Sequence, residues 1–279
     1  MLYLGVIGKP ISHSLSPAMH NAVMKKLGIN GIYLAFEVDD FEGAVRGASK
    51  LGFRGLNITI PYKENAYSIA DEASDDVKIV KAGNTILFEN NQIKVFNTDI
   101  YGFQKAVEKS GFKLKDKRIA IIGAGGAARA ITYASLKAGT EIITIFNRTY
   151  EKAVKIKEDI QSFYPEKQII PKKLETINFS EFDIIVNATN IGWKNENLFE
   201  IIGKYPEKTK EKKLFFDTIY TQTKFLKIGK SLGYKTQDGR WMLVLQGAMS
   251  FKIWTSIYPD EEIMFRTLKK AQKVKKDKA

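Results

Sequence analysis

The stretch Ile119-Ala120-Ile121-Ile122-Gly123-Ala124-Gly125-Gly126-Ala127-Ala128-Arg129 decides the fold of the second half of this chain. An apolar run of strand length enters a glycine-rich turn and leaves it through good helix formers, Ala127 to Lys137. The first glycine, Gly123, permits a sharp strand-to-helix turn. Gly125 lets a pyrophosphate approach the backbone, and Ala128 is small enough for the helix to pack close to a sheet. The N–H groups and positive dipole end of a helix beginning near Gly126 attract an anion. A turn of this kind standing alone is equally a tight turn. Here Glu141–Phe146 supplies the next strand, and the βαβ setting reads as a dinucleotide site formed by Gly123, Ala124, Gly125, Gly126 and Ala127.

The end of that next strand selects between dinucleotides. A site for NAD usually carries an acid roughly 20 residues after the glycines, where it accepts from the ribose 2′-hydroxyl. This chain has Asn147-Arg148-Thr149 followed by Lys152, with no acid before Glu151. A guanidinium suits a 2′-phosphate by charge and forked donor geometry, and Thr149 adds a hydroxyl. Thr149 also reads as the N-cap of a helix with Glu151 and Lys152 in its first turn. The two readings are compatible, and the pattern favours NADP over NAD.

With 279 residues the chain has room for about two domains. Because the glycine turn begins at residue 123, the preceding segment must fold as something of its own. A hydrophobic content of 44% is ordinary for a globular protein. There is no cysteine, which excludes a disulfide framework, a thiolate nucleophile and a zinc–thiolate site. His13 and His20 are the only histidines, so no multi-histidine metal centre is expected. The N-terminus MLYLGVIG lacks a basic n-region, and no apolar run approaches the roughly 20 residues of a membrane span. A cytoplasmic chain with no membrane partner is expected. The net charge of +13 raises the question of nucleic acid. The lysines, however, gather in Lys204–Lys213 and in the tail from Lys269 to Lys278, with no aromatic-interleaved basic strand beside them. Attraction of anionic small molecules is the simpler reading, and no nucleic-acid partner is expected.

The first hundred or so residues alternate short apolar strands with amphipathic helices. Strands are predicted at Leu2–Ile7, Gly31–Phe36 and Gly55–Ile60, the last stopped by Pro61. Helices are predicted at Pro17–Leu27, with Ser16 as N-cap, at Phe41–Leu51, and as short pieces at Glu64–Ala70 and Glu72–Val80. A hairpin follows, with arms Asn84–Phe88 and Gln92–Phe96 and Asn90-Asn91 at its tip. The sum is a mostly parallel sheet with one antiparallel edge strand. Asp99–Ser110 reads as a linking helix. Strands at Ile184–Val186 and Leu214–Asp217 and helices at Gly239–Trp254 and Glu261–Lys276 complete the chain. The expected fold is α/β with two domains: 1–100, to which 239–279 return, and a Rossmann-like 101–238, with a cleft between them.

Several polar residues fall at strand ends, where parallel sheets place ligand sites. Ser14 and Ser16 lie after the first strand in Ser12-His13-Ser14-Leu15-Ser16-Pro17, where two hydroxyls beside a helix N-terminus suit a carboxylate. Lys63 follows Asn57-Ile58-Thr59-Ile60-Pro61-Tyr62, Asn84 follows Ala82-Gly83, and Asp99 follows Asn97-Thr98. Together they place a cation, an amide and a carboxylate at the mouths of neighbouring strands.

These stretches, with GAGGAAR at 123–129, NRT at 147–149, NAT at 187–189, Asp217 with Tyr220, and GRWMLVLQ at 239–246, make the chain resemble the shikimate dehydrogenases over nearly its full length. The resemblance implies reversible NADP-dependent reduction of 3-dehydroshikimate to shikimate, a step of the shikimate pathway of aromatic amino acid biosynthesis. It implies that Lys63 and Asp99 are the catalytic pair. Ser14, Ser16, Thr59, Asn84, Tyr220 and Gln246 are then substrate contacts. Thr189, Ile219 and Gly239 join the glycine turn, Asn147, Arg148, Thr149 and Lys152 on the cofactor side. No metal is implied, and the protein is expected as a monomer or homodimer. Departures from the family pattern fall at Lys152, Asn190, Trp193, Thr218, Arg240 and Trp241, all on that cofactor side.

Three Tyr-x-x-x-Lys matches, Tyr101/Lys105, Tyr133/Lys137 and Tyr220/Lys224, raise a short-chain dehydrogenase. None stands far enough beyond a glycine turn that is itself far from the N-terminus, so that reading is rejected. Two alternatives stay open: an NAD-using quinate/shikimate dehydrogenase, and a non-catalytic NADP-binding regulator.

Overall fold

The computed structural model describes residues 1–276, with side chains to residue 274. Asp277 and Lys278, the end of the basic tail, lie outside the described residues. Contacts divide the chain into two compact units. One is Met1–Gly102 together with the chain from Leu243 onward, and the other is Phe103–Met242.

The first unit opens with β1 (Leu2–Gly8), α1 (Ser16–Lys26), β2 (Gly31–Glu37), α2 (Phe41–Lys50), β3 (Gly55–Ile58) and α3 (Lys63–Ser68). It continues with β4 (Glu72–Ala73), α4 (Asp75–Val80), β5 (Thr85–Glu89) and β6 (Gln92–Phe96). The sheet order is β2-β1-β3-β5-β6-β4. Every neighbouring pair is parallel except those made by β5, which runs against both β3 and β6. The antiparallel strand is therefore interior and not at an edge, contrary to the sequence-based expectation. The hairpin adds two strands beside β3, and β4 then pairs parallel to β6 and takes the edge.

Local chemistry sets several boundaries. Asp40 caps α2 by accepting from Gly43 N at 2.9 Å. Ser74 caps α4, so the predicted helix over Glu72–Val80 divides into a two-residue strand and a shorter helix. At the hairpin tip Asn90 and Asn91 take φ of 53° and 59°, the paired positive values of a type I′ turn. Ile7, Phe41, Val45, Leu56, Ile58, Ile86 and Val95 are among the residues packed on one face of the sheet.

The helix α5 (Asp99–Lys109) begins in the first unit and runs into the second, which continues with β7 (Arg118–Ile122), α6 (Gly126–Lys137), β8 (Ile142–Asn147), α7 (Tyr150–Gln161) and β9 (Gln168–Lys173). There follow β10 (Ile184–Asn187), α8 (Leu198–Ile202), β11 (Leu214–Asp217), α9 (Lys224–Ser231) and β12 (Lys235–Gln237). All pairs are parallel, in the order β12-β11-β10-β7-β8-β9. This is the Rossmann order, with the winding reversing between β7 and β10. An aromatic cluster of Phe146, Phe179, Phe199, Phe215, Phe225 and Tyr234 fills part of its core. Then α10 (Arg240–Thr255) and α11 (Glu261–Lys276) follow. Within the first unit α11 packs along α1.

Among the described residues no helix is long and apolar enough to cross a membrane, and no group of three or more His, Cys, Asp or Glu side chains could hold a metal ion.

Candidate active site

In the first unit, the carboxyl ends of β3 and β6 and the start of β5 meet at one edge of the sheet. Lys63 is the first residue of α3, just past β3, and Asp99 is the first residue of α5, just past β6. Lys63 Nζ lies 2.6 Å from Asp99 Oδ2, with the side chains 14% and 7% exposed. A pair so withdrawn from water is less screened than a surface ion pair, while the lysine keeps a face open to a ligand.

The acid is held from several sides. Asn84 Nδ2 donates to Asp99 Oδ1 at 3.0 Å, to Thr98 Oγ1 at 2.9 Å and to Gln246 Oε1 at 3.1 Å. Asn84 Oδ1 accepts from Thr98 N at 2.7 Å, and Asp99 N donates to Asn97 Oδ1 at 3.1 Å. Lys63 is tied on its main chain, where its carbonyl accepts from Gly83 N at 2.8 Å. Gly83 has no room for a side chain: an added Cβ would lie 2.1 Å from Val95 Cγ1. The glycine before Asn84 is thus required by packing.

Behind these residues lies a second buried polar layer that sequence reading missed. Tyr33 O–H donates to Asn57 Oδ1 at 2.7 Å, and Asn57 Nδ2 donates to Ser250 Oγ at 2.9 Å. Ser250 Oγ also meets Thr85 Oγ1 at 2.8 Å and Thr98 Oγ1 at 3.1 Å. Gln246 and Ser250 stand one helical turn apart on α10, which explains why both reach this layer. The hydrogen bonds it offers fix Asn84 and Thr98 in single orientations.

Ser14 and Ser16 lie at the carboxyl end of β1. Ser16 is not the N-cap of α1 as expected. Leu15 holds that position without a side-chain bond, and Ser16 is already in the first turn. Ser14 Oγ accepts from Ser16 N at 3.3 Å. The Ser16 hydroxyl is thereby spared the capping role. Thr59, half-buried, follows β3, and its methyl carbon occupies the space beside Gly8. Ser14, Ser16, Thr59, Lys63, Asn84, Asp99 and Gln246 all belong to the first unit. Tyr220, expected with them, belongs to the second, where it meets the Trp193 ring edge-on at 4.7 Å between centroids.

In the second unit the glycine turn sits at the switch point. Gly123 has φ of +115°, and a Cβ there would come within 3.0 Å of the Ala188 carbonyl oxygen and of Thr189. Gly125 is exposed, caps α6 with no side-chain bond, and has open space where a Cβ would be. That is a cradle which a backbone-bound phosphate fits: bare helix N–H groups at a dipole end, with no side chain in the way. Asn147 ends β8, next in the sheet, and its Nδ2 donates to Thr149 O at 2.8 Å. Arg148, Thr149 and Lys152 are all exposed at that strand end. Thr149 is the N-cap of α7, but its side chain makes no cap bond, which leaves the hydroxyl for a ligand. After β10, Thr189 Oγ1 donates to Asn187 Oδ1 at 2.7 Å. Gly239 N donates to Ile219 O at 2.9 Å, and a Cβ on Gly239 would lie 2.1 Å from Thr218 O.

Each unit thus carries its own arrangement: a lysine–carboxylate pair braced by amides in the first, and a phosphate cradle flanked by an arginine in the second. The family models for the shikimate dehydrogenase substrate binding domain, shikimate / quinate 5-dehydrogenase and the shikimate 5′-dehydrogenase C-terminal domain match residues 6–86, 104–217 and 239–269. The chain belongs to the shikimate dehydrogenase family.

Shikimate dehydrogenase (NADP(+)) of Pyrococcus abyssi is 37% identical over 270 residues, covering 95% of this chain and 97% of that protein. The enzyme of that name from a strain of Methanococcus maripaludis is 39% identical over 269 residues, covering 95% of this chain and 96% of its own. Among solved structures, shikimate 5-dehydrogenase from Thermus thermophilus, in complex with NADP(H) and shikimate, superposes with a TM-score of 0.83 at 34% identity. That match covers 97% of this chain and all of the other. A two-domain α/β fold with a Rossmann-like second sheet is thus a family property that this chain shares.

Proposed function

We propose that this protein oxidises shikimate to 3-dehydroshikimate with NADP+, and reduces it in the reverse direction with NADPH. The observation that carries the reading is the Lys63–Asp99 pair, 2.6 Å apart and nearly withdrawn from solvent at the carboxyl ends of β3 and β6. Relatives that match over nearly the whole chain carry the name of this activity.

NADP+, when bound, would supply the acceptor for the hydride that leaves the carbinol carbon of shikimate. The residues of this chain manage the proton and the charge. In reduction, negative charge gathers on the carbonyl oxygen, and the Lys63 ammonium stabilises it and delivers a proton to it. In oxidation the hydroxyl proton leaves along the same path. Asp99 holds the amine in one place and, through Asn84, keeps a fixed orientation itself. The hydroxyls of Ser14 and Ser16 receive the substrate carboxylate, while Thr59, Asn84 and Gln246 meet the ring hydroxyls, and Tyr220 completes the substrate contacts. The turn from Gly123 to Ala127 holds the pyrophosphate, with Thr189, Ile219 and Gly239 toward the nicotinamide. Asn147, Arg148, Thr149 and Lys152 hold the 2′-phosphate, whose two or more negative oxygens match a forked guanidinium.

Initial rates with shikimate or quinate, each with NADP or NAD, test this directly. Shikimate with NADP is expected to be the fastest combination. Arg148→Ala is expected to lower the preference for NADP over NAD by about tenfold, with little change in shikimate KM, because only the 2′-phosphate distinguishes the two cofactors. Tight NADP binding without turnover of shikimate would instead favour a regulator that kept the fold.

A further inference from the structure

Asp217 ends β11, is fully buried, and takes no part in the reaction described above. Its carboxylate gathers three segments. Oδ1 accepts from Asn187 Nδ2 at 3.1 Å and from Ile219 N at 3.0 Å, and Oδ2 accepts from Thr223 Oγ1 at 2.7 Å. Asn187 ends β10, Ile219 lies in the turn after β11, and Thr223 is the N-cap of α9.

Those bonds extend to residues that face the cofactor in the reading above. Asn187 Oδ1 accepts from both Thr189 N, at 3.1 Å, and Thr189 Oγ1, at 2.7 Å, while its Nδ2 donates also to Ile191 O at 3.1 Å. Asn187 O accepts from Thr218 N and Thr218 Oγ1 at 3.0 and 3.1 Å. Ile219 O accepts from Gly239 N. The turns carrying Thr189, Ile219 and Gly239 are thus fixed through one carboxylate.

We propose that Asp217 is a positioning residue for NADP, its ionised carboxylate holding the turns after β10 and β11 in the conformation that receives the nicotinamide half of the cofactor. The proposal rests on the functional reading given above. It also makes cofactor affinity depend on the charge of this group. A proton on Oδ1 would face two N–H donors, and a proton on Oδ2 would force the Thr223 hydroxyl to turn round, so protonation breaks the set of bonds. Burial pushes the carboxyl up to about 7, against the hydrogen bonds from Thr223, Ile219 and Asn187, which favour the charged form. The Asp238 carboxylate, on the segment leading into α10, adds to the upward push and is itself clamped by Arg240 at 2.7 Å. The groups facing Asp217 from β10 and α9, Asn187 and Thr223, are neutral.

Calorimetric titration of NADP+ into the whole protein, with steady-state kinetics on shikimate, tests this. Asp217→Asn is expected to raise the Kd for NADP+ about tenfold while shikimate KM stays within about twofold. The wild-type protein should lose NADP+ affinity between about pH 8 and about pH 6 more steeply than Asp217→Asn does. Thr223→Val should show part of the affinity loss, and Thr223→Ser, which keeps the hydroxyl, should restore it. A folded Asp217→Asn protein with wild-type Kd, or one in which shikimate KM and NADP+ Kd rise together, overturns the proposal. If Asp217→Asn does not fold, equal Kd values for Thr223→Val and Thr223→Ser overturn it. Wild-type protein that binds NADP+ but leaves shikimate unchanged defeats the functional reading alone, since the Kd comparisons still decide the role of Asp217.

Discussion

Replacing Lys63 by alanine is expected to lower kcat for shikimate oxidation by about 10²-fold or more and to leave KM for shikimate close to wild type. The reason lies in when the interaction is made. A ground-state hydroxyl is neutral and binds through several other groups, whereas the reacting oxygen bears charge only as hydride moves. A group that meets that charge contributes to the transition state and little to substrate binding. The geometry suits the task. Lys63 begins a helix, its main-chain carbonyl is fixed by Gly83, and its amine rests 2.6 Å from a carboxylate that Asn84 holds from the other side. Removing the lysine leaves Asp99, 7% exposed, without its cation, so circular dichroism and a thermal melt should accompany the kinetics. A large rise in KM with intact kcat would make Lys63 a binding residue only.

The second large effect concerns stability in acid and comes from His20, which takes no part in the proposed chemistry. His20 is wholly buried on α1, with its ring stacked on Tyr33 at 4.3 Å and near Phe251 and Trp254. Neither ring nitrogen has a hydrogen-bond partner. Burial lowers its pKa from 6.5 to about 3, because the charged imidazolium would have no water around it. In the unfolded chain the ring protonates near its ordinary value, so the unfolded state binds the extra proton first. The stabilisation is complete above pH 6.5 and is lost as pH falls toward the folded value. The loss from this one group is about 2 kcal/mol between pH 7 and pH 5 and about 5 kcal/mol below pH 3. Urea unfolding of the wild-type protein and of His20→Leu at several pH values checks this. The variant, similar in volume and without unpartnered nitrogens, should match or exceed wild-type stability at pH 7 and gain on it steadily in acid. Parallel curves for the two proteins would contradict the assignment.

What could be read from residues alone follows their physics. The glycine turn was legible because each small position answers a separate steric demand, and Gly123 turns with a positive φ and no room for a Cβ. The hairpin tip was legible because two asparagines tolerate the left-handed backbone that a type I′ turn requires. Several elements escaped, β4 and α9 among them. β9, with Pro171 and two lysines in Gln168–Lys173, and β12, only Lys235–Gln237, are edge strands with little apolar alternation, and α8 is a five-residue helix. The place of the antiparallel strand escaped too, because strand order depends on how crossovers pack and not on the strand's own composition. At the candidate site, Lys63, Asn84 and Asp99 stood out as a cation, an amide and an acid at strand ends. Asn57, Thr85, Thr98 and Ser250 did not, being common polar residues whose meaning arises only when α10 brings Ser250 onto Asn57 and Thr85. Asp217 was quoted as part of a motif, yet only its burial and three converging donors give it a role.

The account turns on where the substrate's reacting hydroxyl lies when both ligands are bound, and a crystal structure of the protein with shikimate and NADP+ measures that. The expected result places this oxygen within hydrogen-bond reach of Lys63 Nζ, roughly 2.6 to 3.2 Å, with the nicotinamide C4 facing the carbon that bears it. Shikimate seated with that hydroxyl away from Lys63 and Asp99 would contradict the proposed chemistry.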